Sequence, residues 1–119
     1  MLKIVVKEGI VWANCQGKNG VVLGNIFNRV IRVNDQATVG CGVIQGNVKD
    51  GFFYVGRSAE AGYGVRVGHL CEGQLYRSGQ AVLKSGTLIG NVVDYPIEGE
   101  VTDEERIAIW HFLVEKIFK

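Results

Sequence analysis

Apolar and polar positions change places in short runs along most of this chain, and the runs recur every 22 residues. In GVIQGNVKDGFFYVGRSAEAGY, residues 42–63, three short segments read as extended, 43–48, 52–55 and 59–63, the first two rich in β-branched or aromatic residues. Asp50-Gly51 and Gly56-Arg57-Ser58 divide them, and these are turn formers. Such segments predict strands rather than helices. Gly46, inside the first segment, predicts a bulge, a bend or a close approach of backbone. The pattern changes at residue 102. There Ile107, Trp110, Leu113 or Val114, and Ile117 or Phe118 recur at helical spacing. Thr102 and Glu105 have the spacing of a capping box, and Asp103, Glu104 and Glu105 suit the positive end of the helix dipole. One amphipathic helix is expected over 102–119.

Four blocks fall into phase, starting at Gly20, Gly42, Gly64 and Gly86. Counted from those glycines, column five is Gly24, Gly46, Gly68 and Gly90, and column six is Asn25, Asn47, His69 and Asn91. Column seven is Ile26, Val48, Leu70 and Val92; column twelve is Ile31, Phe53, Leu75 and Ile97. Column nine is Asn28, Asp50, Glu72 and Asp94. A fixed period of this length marks a repeat architecture. Residues 2–6 and 10–12 read as strands around a Glu8-Gly9 turn, a cap or atypical first turn of the repeat. The organisation expected is one domain: N-terminal strands over 1–19, four repeats over 20–101, and the helix.

The fold class is therefore mainly β (α+β by strict count). The preferred layout is a short β-helix of 22-residue coils with the C-terminal helix packed on it. A hairpin-built β-roll or barrel is the runner-up. In stacked coils, columns seven and twelve form internal aliphatic ladders about 4.8 Å apart. The asparagines form an amide ladder interrupted by His69. Column nine is either a set of solvated turn residues or a source of oxygen ligands for a hard cation.

Composition narrows the function. The chain has 119 residues, 47% of them apolar, with a formal charge of +1. Near neutrality gives no support for binding nucleic acid, which needs clustered Lys and Arg. No run reaches the length of a membrane span, and MLKIVVKEG lacks the apolar core of a secretory signal. Cys15, Cys41 and Cys71 are odd in number without CxxC spacing, so reduced thiols in a cytoplasmic protein are expected.

The run from Ala37 to Val48, repeated from Ala81 to Val92 as AVLKSGTLIGNV, resembles a coil of the bactofilins. That resemblance implies a β-helix that polymerises end to end without a nucleotide. The chain departs from it in coil length and in its terminal helix, which could cap the end that a filament needs open. Asp50-Gly51-Phe52-Phe53-Tyr54-Val55-Gly56 with Gly62-Tyr63-Gly64 is similar to the DGxxYxG and GxG elements of MORN repeats, at a different spacing. Neither resemblance implies active-site residues.

Candidate chemistry is sparse. His69 and Cys71, two apart on a strand, share a face, so the imidazole could activate the thiol or both could bind a metal. The competing role for His69 is structural, in the asparagine column. Tyr54 and Tyr76 share column thirteen with Arg32 and Glu98, a recognition stripe if exposed. Trp110 could line a cleft between helix and repeat. His111 and Glu115 read as a solvated helix pair. The first functional reading is a non-enzymatic assembly or interaction module that forms homo-oligomers, without cofactor. The second is a small-ligand-binding protein with a pocket between helix and repeat. The third is a thiol- or metal-dependent enzyme using His69 and Cys71.

Overall fold

The computed structural model describes residues 3–13 and 20–118. Nine antiparallel strands form one open sheet in chain order: β1 (Ile4–Lys7), β2 (Ile10–Ala13), β3 (Val21–Phe27), β4 (Val30–Val33), β5 (Val43–Lys49), β6 (Phe52–Val55), β7 (Val65–Cys71), β8 (Gln74–Arg77) and β9 (Thr87–Asn91). Each strand pairs with its sequence neighbours. Helix α1 (Asp103–Ile109) follows and continues as a wider π-type turn, Trp110–Val114.

The strands of each unit are a long arm, a tight turn and a short arm. The turns are Glu8-Gly9, Asn28-Arg29, Asp50-Gly51 and Glu72-Gly73, with φ between 51° and 82° at all eight positions. Positive φ at both central residues is the hairpin turn whose twist matches that of paired strands. This explains the polar ninth column. Asn28, Asp50 and Glu72 occupy the first left-handed position, and successive tips stand about 10 Å apart because two strands separate them. Asp94 is different: it lies in a 3-10 turn, Val92–Asp94, and its carboxylate accepts from the Asn91 N–H at 3.1 Å.

The hairpin layout departs from the preferred β-helix. A β-helix stacks equivalent strands in parallel; here every pairing within the sheet is antiparallel, and equivalent strands are separated by another strand. The third segment of the unit, 59–63, is no strand. It belongs to a nine-residue connection, 56–64, matched by 34–42 and 78–86. A further hairpin, β1–β2, precedes the four repeats, with a four-residue first strand in place of the seven-residue long arm. Its connection to β3 covers seven residues, 14–20, so it runs two residues out of phase with the rest.

Columns seven and twelve do line the core. Ile26 and Val48 from the long arms, Val92 just after β9, and Val11, Ile31, Phe53 and Leu75 from the short arms are buried on one face. Helix α1 closes that face with Ile107, Ala108 and Ile109, each 0% exposed. The Thr102–Glu105 capping box is formed: the Glu105 N–H donates to Thr102 Oγ1 at 3.2 Å and the Thr102 N–H to Glu105 Oε1 at 3.0 Å. The helix ends at Val114, not at 119. The Glu115 N–H bonds back to the Trp110 carbonyl, Glu115 is extended, and Phe118 folds onto the core.

Column five seats this helix. In all four units the strand register shifts next to the glycine, so the residue before it (Leu23, Gln45, Val67 or Ile89) is the extra member of a bulge. A Cβ on Gly46 would overlap the ring of Phe112, and one on Gly68 would stand 2.6 Å from Phe118. At Gly24 it would meet Leu113 at 3.1 Å, and at Gly90 the Tyr95 hydroxyl at 3.3 Å. Each glycine thus receives one large side chain from the C-terminal segment.

The link from β9 returns to β1. The Val6 N–H donates to the Glu98 carbonyl at 2.8 Å and the Glu98 N–H to the Ile4 carbonyl at 3.0 Å. A flat sheet would hold β1 and β9 about 38 Å apart, while the seven steps from residue 91 to residue 98 reach at most about 24 Å. The sheet therefore curves around the helix.

Candidate functional site

The face opposite the helix is covered by the three nine-residue loops, and column six holds them there. Asn25 Oδ1 accepts from the Gly40 N–H at 3.2 Å, and its Nδ2 donates to the Cys41 carbonyl at 2.8 Å. Asn47 does the same with Gly62 and Tyr63, at 2.7 and 2.8 Å. Both amides are fully buried. They form no ladder with one another; each secures one loop by mimicking a missing strand. His69 takes the same place in the third unit. Its Nε2 accepts from the Lys84 N–H at 2.9 Å, its ring stacks on Tyr76 at 5.1 Å, and its Nδ1 is buried with no partner. Burial holds the imidazole below its ordinary value, and the bond requires the neutral ring.

That geometry reassigns the sequence candidates. His69 and Cys71 share a face as expected, but the accepting nitrogen of His69 is committed to the loop backbone, so it is no general base for the thiol. No group of three or more metal-ligating side chains exists among the described residues. Cys41 and Cys71 are free thiols, and Cys15 lies outside the described residues. Tyr54 and Tyr76 stand on the loop face in separate units. Trp110 lies in the helical segment across the sheet, against Tyr95 at 5.8 Å with its Nε1 buried and unpartnered. The five candidates do not converge on one site.

Two of the cavities among the described residues are shaped to receive something. One is a groove of about 470 Å³ between the second and third loops, lined by Phe52, Tyr54, Tyr63, Arg66 and Lys49. The other, about 250 Å³, lies between helix and sheet and is lined by Val55, Val67, Phe112, Phe118, His111 and Lys116. His111 is buried there rather than solvated beside Glu115. Its Nδ1 accepts from the Phe118 N–H at 3.4 Å, and desolvation, with Lys116 nearby, lowers its pKa to about 4.

Of the groove residues, Tyr54 is among the sequence candidates, whereas Arg66 and Ala61 are not, although the columns contain their signal. Column three is Val22, Ile44 and Leu88 but Arg66, and column twenty is Val39 and Leu83 but Ala61.

The sheet also has two unlike edges. β1 is covered by the backbone bonds from Glu98, with a Lys3–Glu98 ion pair at 3.3 Å beside them. β9 has no outer strand among the described residues. In the first three units the carbonyls of Leu23, Gln45 and Val67 accept from Asn34, Gly56 and Ser78 at 3.2–3.3 Å, closing the outer side of the long arm. Ile89, their counterpart, has no such donor among the described residues. Four apolar side chains at this end of the molecule are more than half exposed: Val82, Leu83, Leu88 and Val93.

No family model matches this chain, and no curated protein and no solved structure is similar to it, so nothing identifies a bactofilin-like or MORN repeat. No helix among the described residues is long and apolar enough to cross a membrane.

Proposed function

We propose that this protein is a non-enzymatic interaction module that associates with further copies of itself through the β9 end, in a cytoplasmic setting where its thiols stay reduced. One observation carries the reading: β1 is closed by the returning chain, while β9 offers an uncharged strand with an outward carbonyl and exposed apolar neighbours. An uncovered edge is a template for another strand. Because only one edge is open, association pairs β9 with β9 about a two-fold axis and closes as a dimer. A head-to-tail filament of the kind implied by the bactofilin likeness would need β1 as well.

Light scattering over a range of concentrations tests this. The expected mass rises above the 13.0 kDa of one chain, and Leu88→Lys returns it to one chain. A mass of one chain at every concentration overturns the reading.

The pocket under the helix supports a second reading, a small-ligand-binding protein. Its walls are mostly apolar, with His111, Lys116 and Gln45 as the polar groups, as small-molecule sites require. Fluorescence of an apolar dye displaced by Val67→Trp would support it; no dye binding would remove it.

A further inference from the structure

We infer that the groove on the loop face between residues 56–64 and 78–86 is a binding site for a small aromatic carboxylate. The groove lies where two columns of the repeat are broken. Ala61 stands where the first and third loops carry Val39 and Leu83, beside Gly62, which the first loop matches with Gly40 and the third replaces with Lys84. The truncation leaves about 470 Å³ open above β6 and β7. That is within the range of small-molecule sites.

Arg66 is the second departure, a guanidinium in an otherwise apolar column. It lies 5.3 Å from the ring centre of Phe52 and 5.4 Å from that of Tyr54. Its hydrogen bonds are long: 3.4 Å to the Gly79 carbonyl and 3.5 Å to the Tyr54 hydroxyl, and its Nε is buried with no partner. The aromatic rings fix the guanidinium plane without satisfying its donors. A planar fork of underused donors suits a carboxylate, which accepts two parallel bonds. Lys49 adds a second positive charge and Asp50 at the hairpin tip subtracts one. The net charge of one matches a monoanion better than a phosphate dianion. Tyr63, 60% exposed at the rim, supplies a ring face on which an aromatic ligand stacks.

In the third loop Leu83 and Lys84 stand at the positions of Ala61 and Gly62, and Lys84 is paired with Glu72 at 3.4 Å.

A titration of the isotopically labelled protein, followed by amide NMR shifts, tests the site with 4-hydroxybenzoate and its neutral analogue 4-hydroxybenzamide. The acid is expected to shift the Gly62, Tyr63 and Arg66 amides saturably, with a dissociation constant of about 1 mM for a ligand of this size. The amide is expected to bind at least tenfold more weakly. Ala61→Leu restores the residue found at Leu83, so it is expected to keep the dispersed spectrum and lose binding. Should that variant not fold, Arg66→Gln carries the same expectation. Absence of saturable shifts at about 20 mM acid, equal binding of the amide, or undiminished binding by the folded variants would overturn the assignment.

Discussion

On one face of β5, Gly46 takes the ring of Phe112; on the other, one residue along, Asn47 holds the loop 56–64 in place. The two faces are covered by different physics. The helix face depends on an absence: four glycines without a Cβ let Leu113, Phe112, Phe118 and Tyr95 approach the sheet. The loop face depends on buried polar bonds that substitute for a missing strand, with Ile10 and Val30 buried opposite Asn25 and Asn47. Packing of the first kind tolerates no added volume, and the second kind tolerates no lost partner. The contrast also explains the fourth member of column six. Asn91 in β9 continues the asparagine column, but the repeat ends before another loop is formed, and the chain turns at Val92–Asp94 to become the helix's approach. The end of the repeat is therefore covered on the helix face and bare on the other.

The largest effect is expected from Gly46→Ala. Its methyl group would collide with the Phe112 ring and the Tyr54 carbonyl, and destabilisation of about 3 kcal/mol is expected from overpacking. Urea unfolding checks it, and a double variant with Phe112→Ala should recover part of the loss. If the single change is neutral, the glycine row does not seat the helix. Asn47→Ala is expected to cost about 2 kcal/mol, because it strands the Gly62 N–H and the Tyr63 carbonyl. Amide exchange should rise in 56–64 and stay unchanged in the helix; equal rises on both faces would deny that they are covered independently.

A pH change separates the faces more gently. His111 is held neutral on the helix face, with its pKa lowered to about 4, and His69 is lowered on the loop face. For both, the unfolded chain binds the proton more readily than the folded one. Their contribution is present above the ordinary value of about 6.5 and is lost as the pH falls from there towards the folded values. The unfolding midpoint should hold between pH 8 and 7 and decline between 6.5 and 4. His111→Gln should flatten that decline, since the larger displacement is on His111. A decline identical to that of the unmodified protein would place the linkage elsewhere.

Much of the fold could be read from residue order because it rests on local chemistry. Asp50-Gly51 is a turn wherever it stands between apolar runs, Thr102 and Glu105 reach each other within one helical turn, and the bulge at Gly46 follows from a glycine inside a strand. What could not be read depends on contacts between distant residues. The segment 59–63, AEAGY, has no β-branched residue, and the bonds of Asn47 to residues 15 and 16 positions away hold it as a loop. The same blindness favoured a β-helix, whose coils and these hairpins share a period. The N-terminal hairpin reads from sequence only as a cap or atypical first turn, because its connection to β3 is two residues shorter than the others. Phe118 extends the helical spacing but reaches the core by folding back after Val114, through its bond to His111. At the candidate sites, Tyr54 was visible as a member of a column. Arg66 and Ala61 were not, because each matters only as an exception to its column.

The open edge at β9 is the feature on which the functional reading stands. Amide hydrogen exchange of residues 87–91, measured as protein concentration is raised, observes it directly. The account predicts protection of β9 that grows with concentration while β1 stays equally protected throughout, because β1 already has its partner at Glu98. Protection of β9 that does not change with concentration would contradict it.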